Sequence, residues 1–307
     1  MVTIFGSGFG LYGYLPALIE GVNETVCLPR KYLKIIRSRT DLSALEEKIL
    51  WVKDEDEAIQ RSSKAVISVN PIWQFGIVKR CVALGFKGHF FLEKPLAESP
   101  EEADKLLDFL DDSGAGYSVG YSFLYIQAIK KYLSNNRDTA QLLLNWEFMA
   151  YHFAKNLINW KRFDTEGGGV LRFYGIHVIA LLVEAGYSGV VSSELMGEKE
   201  EEPSRWEAIF SHSKAVNCHV MIDSRSENSS FSLTGKKGTD PLVVTDPFEL
   251  NHSQVEMLDR RFTSLVSFIC DLDKSVDRRN LYREINRMWR LVENRSVFNK
   301  RKMGGCI

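Results

Sequence analysis

Over its first 121 residues the chain changes period repeatedly. VTIF, LYGYLPALIE, ETVCL, LSALEEKIL, KAVISV, IVKRCVALG, HFFLEKP, PEEADKLLDFLDD and YSVGY alternate between short apolar runs and longer helical patterns. Strands separated by a helix's length of chain cannot be joined by hairpins. They must lie parallel, linked by crossover helices, and the expected result is a doubly wound sheet. Ser99 ahead of PEEA marks the start of one such helix, as an N-cap followed by Pro100 in the first turn and by Glu102 three residues on.

The first strand, Val2 to Phe5, runs directly into Gly6, Gly8, Gly10 and Gly13. Glycines placed there let the backbone turn tightly and approach a pyrophosphate, whose charge then meets the amides and the positive end of the following helix. The same residues can also build a tight turn with no ligand. Gly8, Gly10 and Gly13 spell GxGxxG literally, yet the strand ends at Phe5. The register set by the strand puts Gly6 and Gly8 first and Leu11 third, with the amides of Phe9, Gly10 and Leu11 facing the phosphates. No carboxylate closes the second strand, where one would hold a ribose hydroxyl; ETVCL continues into Pro29, Arg30 and Lys31. Two cations at that place suit a 2′-phosphate, so the expected cofactor is NADP or NAD, with NADP favoured.

The second half reads differently. QLLLNWEFMA, VVSSELMG, EAIFSHS, AVNCHVMIDS and SSFSLTG follow one another with polar or glycine-rich turns and no helices between them, which suggests a mostly antiparallel sheet. Helical patterns cover Ile126 to Leu133 and Gly168 to Glu184, and a closing pair covers Val255 to Asp271 and Leu281 to Asn294. The expected organisation is a dinucleotide-binding Rossmann domain over 1–121, followed by an α+β domain with a large open sheet over 122–307. EKEEE at 198–202 reads as a solvated loop and KRK at 300–302 as a frayed tail. QLLLNWEFMA is apolar without alternation, as if covered on both faces; a second copy of the chain is the simplest cover, giving a homodimer or homotetramer.

Charge and composition remove several function classes. The 307 residues hold 39 basic and 40 acidic side chains, a net charge of −1, so no global field favours nucleic acid or an anionic membrane. No basic helix-turn-helix segment precedes the sheet. Cys27, Cys81, Cys218, Cys270 and Cys306 are scattered and never form CxxC, which argues for reduced thiols in a cytoplasmic setting and against a structural zinc. No apolar run reaches the roughly 18 to 20 residues of a membrane span, and the first residues form a strand rather than a signal peptide.

Three further stretches act together. SVNPIWQ (68–74) follows the third strand, FFLEKPLA (90–97) the fourth, and WKRFDTEGGGVLRFYGIHVIALL (160–182) lies inside the second domain. Through Glu93-Lys94-Pro95 and the GGGxLxxxGxH pattern of Gly167, Gly168, Gly169, Leu171, Gly175 and His177, nearly the whole chain resembles the Gfo/Idh/MocA family of nicotinamide-dependent sugar and polyol oxidoreductases. The resemblance implies that Lys94 points at the substrate and the nicotinamide, that Pro95 holds the strand end in its turn, and that Asn70, Pro71 and Glu93 belong to the cofactor cleft. It also implies that His177 projects into that cleft. An ammonium can donate to a developing alkoxide, and an imidazole can carry a proton at neutral pH. Trp160, Lys161 and Arg162 are candidate substrate contacts.

The departures are informative too. The family pattern carries an Asp four residues before the His, and here that position is Phe173; Gln74 replaces a His common after the third strand, and Ala180 an Asp common after GxH. A phenyl ring cannot hold a substrate hydroxyl by charge. Two readings follow: an NAD(P)-dependent oxidoreductase exchanging hydride with a hydroxyl or carbonyl of a sugar, nucleotide-linked sugar or polyol, or a non-catalytic dinucleotide-binding member that lost the relay at Phe173.

Overall fold

The computed structural model describes residues 1–137, 141–235, 240–251, 259–271 and 277–301. The chain divides into two compact units, one comprising Met1–Ala97, Glu102–Tyr125 and Asn251–Arg279, the other Glu98–Glu101, Ile126–Leu250 and the chain from Asn280 onward.

In the first unit the short apolar runs become strands β1 (Val2–Phe5), β2 (Val26–Pro29), β3 (Ile49–Val52), β4 (Lys64–Ile67), β5 (His89–Leu92) and β6 (Gly116–Val119). All pair in parallel, in the order β3-β2-β1-β4-β5-β6. β1 and β2 are buried at every position, as expected of strands covered on both faces. The order reverses at β1, which lies between β2 and β4; a crevice therefore opens at the carboxyl ends of these strands. β3 is a departure from the sequence reading, which ran LSALEEKIL together as one helix. The helical part stops after a short helix, Thr40–Ser43, and a 3₁₀ turn, Glu46–Lys48. Ile49 and Val52 then turn inward from the sheet edge and pair with β2.

The first unit is closed by a segment from the far end of the chain. Helix Phe262–Cys270 was expected in the second domain, yet it belongs here. Phe268, 2% exposed, sits edge-on to the rings of Tyr14, Phe91 and Tyr125. Burying a Phe side chain contributes about 1.5 to 3 kcal/mol, ample reason for the chain to return. The division expected at 121/122 differs from the observed units chiefly in this return; Val255 lies outside the described residues.

The second unit carries β7 (Leu142–Met149), β8 (Gly189–Gly197), β9 (Arg205–Ser211), β10 (Cys218–Asp223), β11 (Arg225–Gly235), β12 (Leu242–Val244) and β13 (Ser296–Lys300). They form one sheet in the order β12-β11-β7-β10-β9-β8-β13, antiparallel except where β7 meets β10 and β8 meets β13. β13 corrects the expectation of a frayed tail at 300 and 301, because Lys300 ends a paired strand and the Arg301 guanidinium reaches buried Asp223 at 2.9 Å; Lys302 lies outside the described residues. β7 is covered unevenly within the chain. Leu142, Leu144 and Trp146 are buried while Leu143, Asn145 and Glu147 are only partly so; within the chain the strand is fully covered on one face. Helix Ile176–Glu184 is buried continuously from Ile176 to Leu182.

Candidate functional site

The turn after β1 is shaped by what lies close to it. Gly6 has φ +120°, and a Cβ there would stand 1.9 Å from the Ser68 carbonyl oxygen just beyond β4, so only glycine fits. Gly8 is exposed, and a Cβ on it would meet nothing within 4 Å; the turn is bare on that side. A Cβ on Gly10 would stand 2.8 Å from Ile4 Cγ2, so Gly10 lets the helix close on β1. This is the packing role the third glycine of the motif performs, filled one residue early. Leu11 departs from its expected part. Its side chain is buried and its N–H donates to the Gly8 carbonyl at 2.9 Å, which takes that amide into the chain's own turn. The helix continues with wide π turns at Gly10–Tyr14 and Ala17–Gly21, on either side of Pro16, which has no N–H to lose.

Beyond β2 the two cations separate. Lys31 Nζ lies 2.5 Å from Glu55 Oε1, and Glu55 is shared with Arg80 at 2.9 Å. Arg30 is exposed, and its guanidinium makes no ion pair or hydrogen bond among the described residues. The Tyr32 hydroxyl accepts from the Gly6 N–H at 3.2 Å and ties the end of β2 to the glycine turn.

Beyond β4, Asn70 caps helix Pro71–Ala83 by accepting the Ile72 N–H at 3.2 Å, with Pro71 buried at the first position. Beyond β5 come Glu93 and Lys94, the latter 8% exposed and joined to Pro95 by a cis peptide. The Tyr14 hydroxyl donates to Glu93 Oε1 at 2.7 Å. Burial raises the Glu93 carboxyl above the ordinary range, against the pull of Lys94 and Tyr14; burial likewise raises the Tyr14 phenol. Arg261 stacks on the Phe9 ring at 3.8 Å and is held through two contacts to Asp259, at 2.7 and 2.8 Å. Gly6, Gly8, Phe9, Gly10, Arg30, Lys31, Asn70, Pro71, Glu93 and Lys94 thus follow the carboxyl ends of β1, β2, β4 and β5, along one edge of the parallel sheet. Tyr14 and Arg261 were not anticipated from the sequence. Tyr14 reads there as one more apolar helix position, and Arg261 is some 250 residues from its ring partner in the chain.

In the second unit Trp160–Arg162 forms a 3₁₀ turn, capped by Asn159 Oδ1 accepting the Lys161 N–H at 3.1 Å. Gly168 allows this turn to approach, since a Cβ on it would stand 2.1 Å from the Trp160 carbonyl oxygen. Trp160 lies edge-on to Phe173, their centroids 5.3 Å apart, and Lys161 Nζ lies 5.3 Å from the Phe173 centroid and 5.9 Å from that of Trp160. Phe173 belongs to a π-helical stretch, Gly169–Gly175, that leads into the helix of His177, itself 6% exposed. Arg162 is directed elsewhere, to Glu202 at 2.8 Å, although its buried Nε has no hydrogen-bond partner among the described residues. His152, stacked near Tyr174, is pushed down to about 4 by burial, with Lys161 and Arg162 adding to the shift, and is neutral at physiological pH. Arg172 joins a half-buried ion cluster with Glu293, at 2.7 Å, and Asp164, at 3.5 Å; burial pushes the Asp164 carboxyl up to about 6.

Among the described residues no group of three or more His, Cys, Asp or Glu is placed to hold a metal ion, and no helix is long and apolar enough to cross a membrane.

No family model matches the sequence, and neither does any curated protein. Solved structures match over nearly the whole chain. KijD10, a 3-ketoreductase from Actinomadura kijaniata in complex with NADP and TDP-benzene, is 12% identical, with 98% of this chain and 99% of that one covered and a TM-score of 0.69. GenD2 from gentamicin A biosynthesis, in complex with NAD, is 14% identical with 95% and 93% covered and a TM-score of 0.70. An oxidoreductase from Thermotoga maritima is 14% identical with 96% and 95% covered and a TM-score of 0.67. Likeness at these identities is likeness of fold.

Proposed function

We propose that the chain is an NADP- or NAD-dependent oxidoreductase of the Gfo/Idh/MocA type, cytoplasmic, acting on a hydroxyl or carbonyl of a sugar, nucleotide-linked sugar or polyol. The observation that carries the reading is Lys94, held on the turn after β5 at the same sheet edge as the bare turn of Gly6 and Gly8. The residues present fit a dinucleotide. Gly6 and Gly8 leave the backbone open to a pyrophosphate, Phe9 and Gly10 begin the helix whose positive end faces it, and Arg30 offers an exposed guanidinium to a 2′-phosphate. When bound, the nicotinamide supplies or accepts the hydride. Lys94 donates a proton to the substrate oxygen as a carbonyl is reduced and takes it back as an alcohol is oxidised.

Lys161, an ammonium set beside two aromatic rings, suits a substrate that carries an anionic group next to a ring face. A sugar linked to a nucleoside diphosphate has both, and KijD10 is described in complex with NADP and TDP-benzene. The partly covered face of the second sheet would be completed by another copy of the chain, in a homodimer or homotetramer.

Phe173 favours one alternative: a dinucleotide-binding protein without turnover, since the ring sits where the family pattern has an acid. Lys94→Ala separates the two readings. It is expected to abolish reduction of keto-sugars, followed by loss of nicotinamide absorbance, while NADPH binding stays close to wild type. A variant rate within about threefold of wild type would remove Lys94 from the chemistry. Tight NADPH binding by a wild-type protein that turns over no keto-sugar would favour the alternative.

A further inference from the structure

The turn that carries Lys94 leaves β5 and loses its sheet partners. The Glu93 N–H still donates to the Ile67 carbonyl at 3.0 Å, the last rung toward β4. From there the carbonyls of Glu93, Pro95 and Leu96 need a donor from somewhere else. Gln74 supplies it. Fully buried in helix Pro71–Ala83, it aims Nε2 at the Glu93 carbonyl at 2.9 Å, at that of Pro95 at 2.8 Å and at that of Leu96 at 3.3 Å. Two hydrogens on one nitrogen thus grip the backbone immediately before and immediately after Lys94. The orientation of the amide is set by these acceptors, because Oε1 in the same place would face three carbonyl oxygens. Oε1 itself is buried with no hydrogen-bond partner among the described residues, so the amide is retained at the expense of an unsatisfied acceptor there.

We infer that Gln74 is the positioning residue for Lys94: its carboxamide holds the two carbonyls that bracket Lys94 and thereby sets where the ammonium is presented. The inference rests on Lys94 being the functional residue of the proposed reading. No other uncharged side chain of this size offers two hydrogens from one nitrogen. The His that family members carry at this place has, when neutral, one N–H to give, so it could grip one of these carbonyls and not both. Asn70 and Pro71 support the arrangement from behind, by starting the helix of Gln74 at a defined residue.

The test compares Gln74→Met, which keeps the length and removes both hydrogens, with Gln74→Glu, which keeps the shape and turns the donor into an acceptor. The readout is the rate at which each lysine is acetylated by a water-soluble N-hydroxysuccinimide ester, measured peptide by peptide by mass spectrometry. In wild type, Lys94 should be among the slowest. In both variants its rate is expected to rise by about tenfold or more, while other lysines stay within about twofold of wild type. A general loosening raises partly buried lysines such as Lys64 and Lys130 together with Lys94, and that result would overturn the inference; so would a Lys94 rate unchanged in a folded variant. If Gln74→Met does not fold, Gln74→Glu at falling pH decides, because protonating its carboxyl restores one donor and should slow Lys94 relative to the other lysines. The labelling result stands apart from catalysis: were Lys94→Ala fully active, the proposed chemistry would fail while the labelling still reported whether Gln74 holds the turn.

Discussion

Tyr14→Phe removes a single oxygen from the middle of the first unit. The ring keeps its edge-on neighbours, Phe9 at 5.4 Å and Phe268 at 6.4 Å, so packing is conserved and no cavity larger than a hydroxyl opens. What is lost is the 2.7 Å hydrogen bond to Glu93 Oε1, made where the acceptor is largely withdrawn from water. Hydrogen bonds to charged groups contribute about 1.5 to 3 kcal/mol, and the lower half of that range is the floor here because the carboxylate is left without this donor. The pH dependence follows from the raised pKa of Glu93. An acid whose folded pKa lies above its unfolded value of about 4.3 costs the fold stability as it ionises, and that cost grows as pH climbs from the unfolded value through the folded one. Without the hydroxyl the folded pKa rises further, so the variant loses more than wild type over the same climb. Below both folded values the carboxyl is neutral, and the difference shrinks to that of a neutral hydrogen bond, about 0.5 to 1.5 kcal/mol. Urea unfolding followed by tryptophan fluorescence, at steps from the unfolded carboxyl value of about 4.3 up to the alkaline limit of the fold, reads both numbers, with the slope m unchanged between the proteins. A difference below about 1.5 kcal/mol at the alkaline end, or one that does not vary with pH, would refute the reasoning.

Arg30→Ala should weaken NADPH binding by about 1 to 3 kcal/mol and leave NADH nearly unchanged, whereas Lys31→Ala should do less, since Lys31 is already paired with Glu55. Isothermal titration with both cofactors decides, and equal losses for NADPH and NADH would place Arg30 outside the discriminating contact. Sedimentation equilibrium over about a hundredfold range of concentration tests the proposed self-association. A single species at the chain mass of 35.0 kDa throughout would refute it.

The parallel sheet was legible because hydrophobic period is a local property, and β1, β2, β4, β5 and β6 each announce themselves within a few residues. β3 was not, since Leu42, Leu45 and Ile49 also fit helical spacing, and only pairing with β2 decides that Ile49 starts a strand. β13 was hidden for the same reason: SVFNKR has little to distinguish it from a tail until β8 provides hydrogen bonds. At the candidate site, residues named by their place after a strand were found there, because a strand end is a position the sequence can mark. Residues whose role depends on a distant partner were not separable. Arg30 and Lys31 are neighbours of like charge, and the difference between them is Glu55, 24 residues beyond Lys31. Gln74 was visible as a departure from the family pattern, but nothing local says that its amide reaches 19 to 22 residues ahead.

The closing of the first unit by helix Phe262–Cys270 constrains the order in which the protein can be made. As the chain leaves the ribosome, the six strands and the glycine turn are available after about the first 125 residues, but the ring that covers Tyr14, Phe91 and Tyr125 arrives more than a hundred residues later. Throughout that interval the half-built unit exposes those aromatic faces to water and to other nascent chains, the condition under which intermediates associate wrongly. The second unit also waits, since β13 joins β8 only once about a hundred further residues have been made. Each unit is therefore sealed by chain made well after most of it, and an arrested chain lacking those stretches would leave both unfinished.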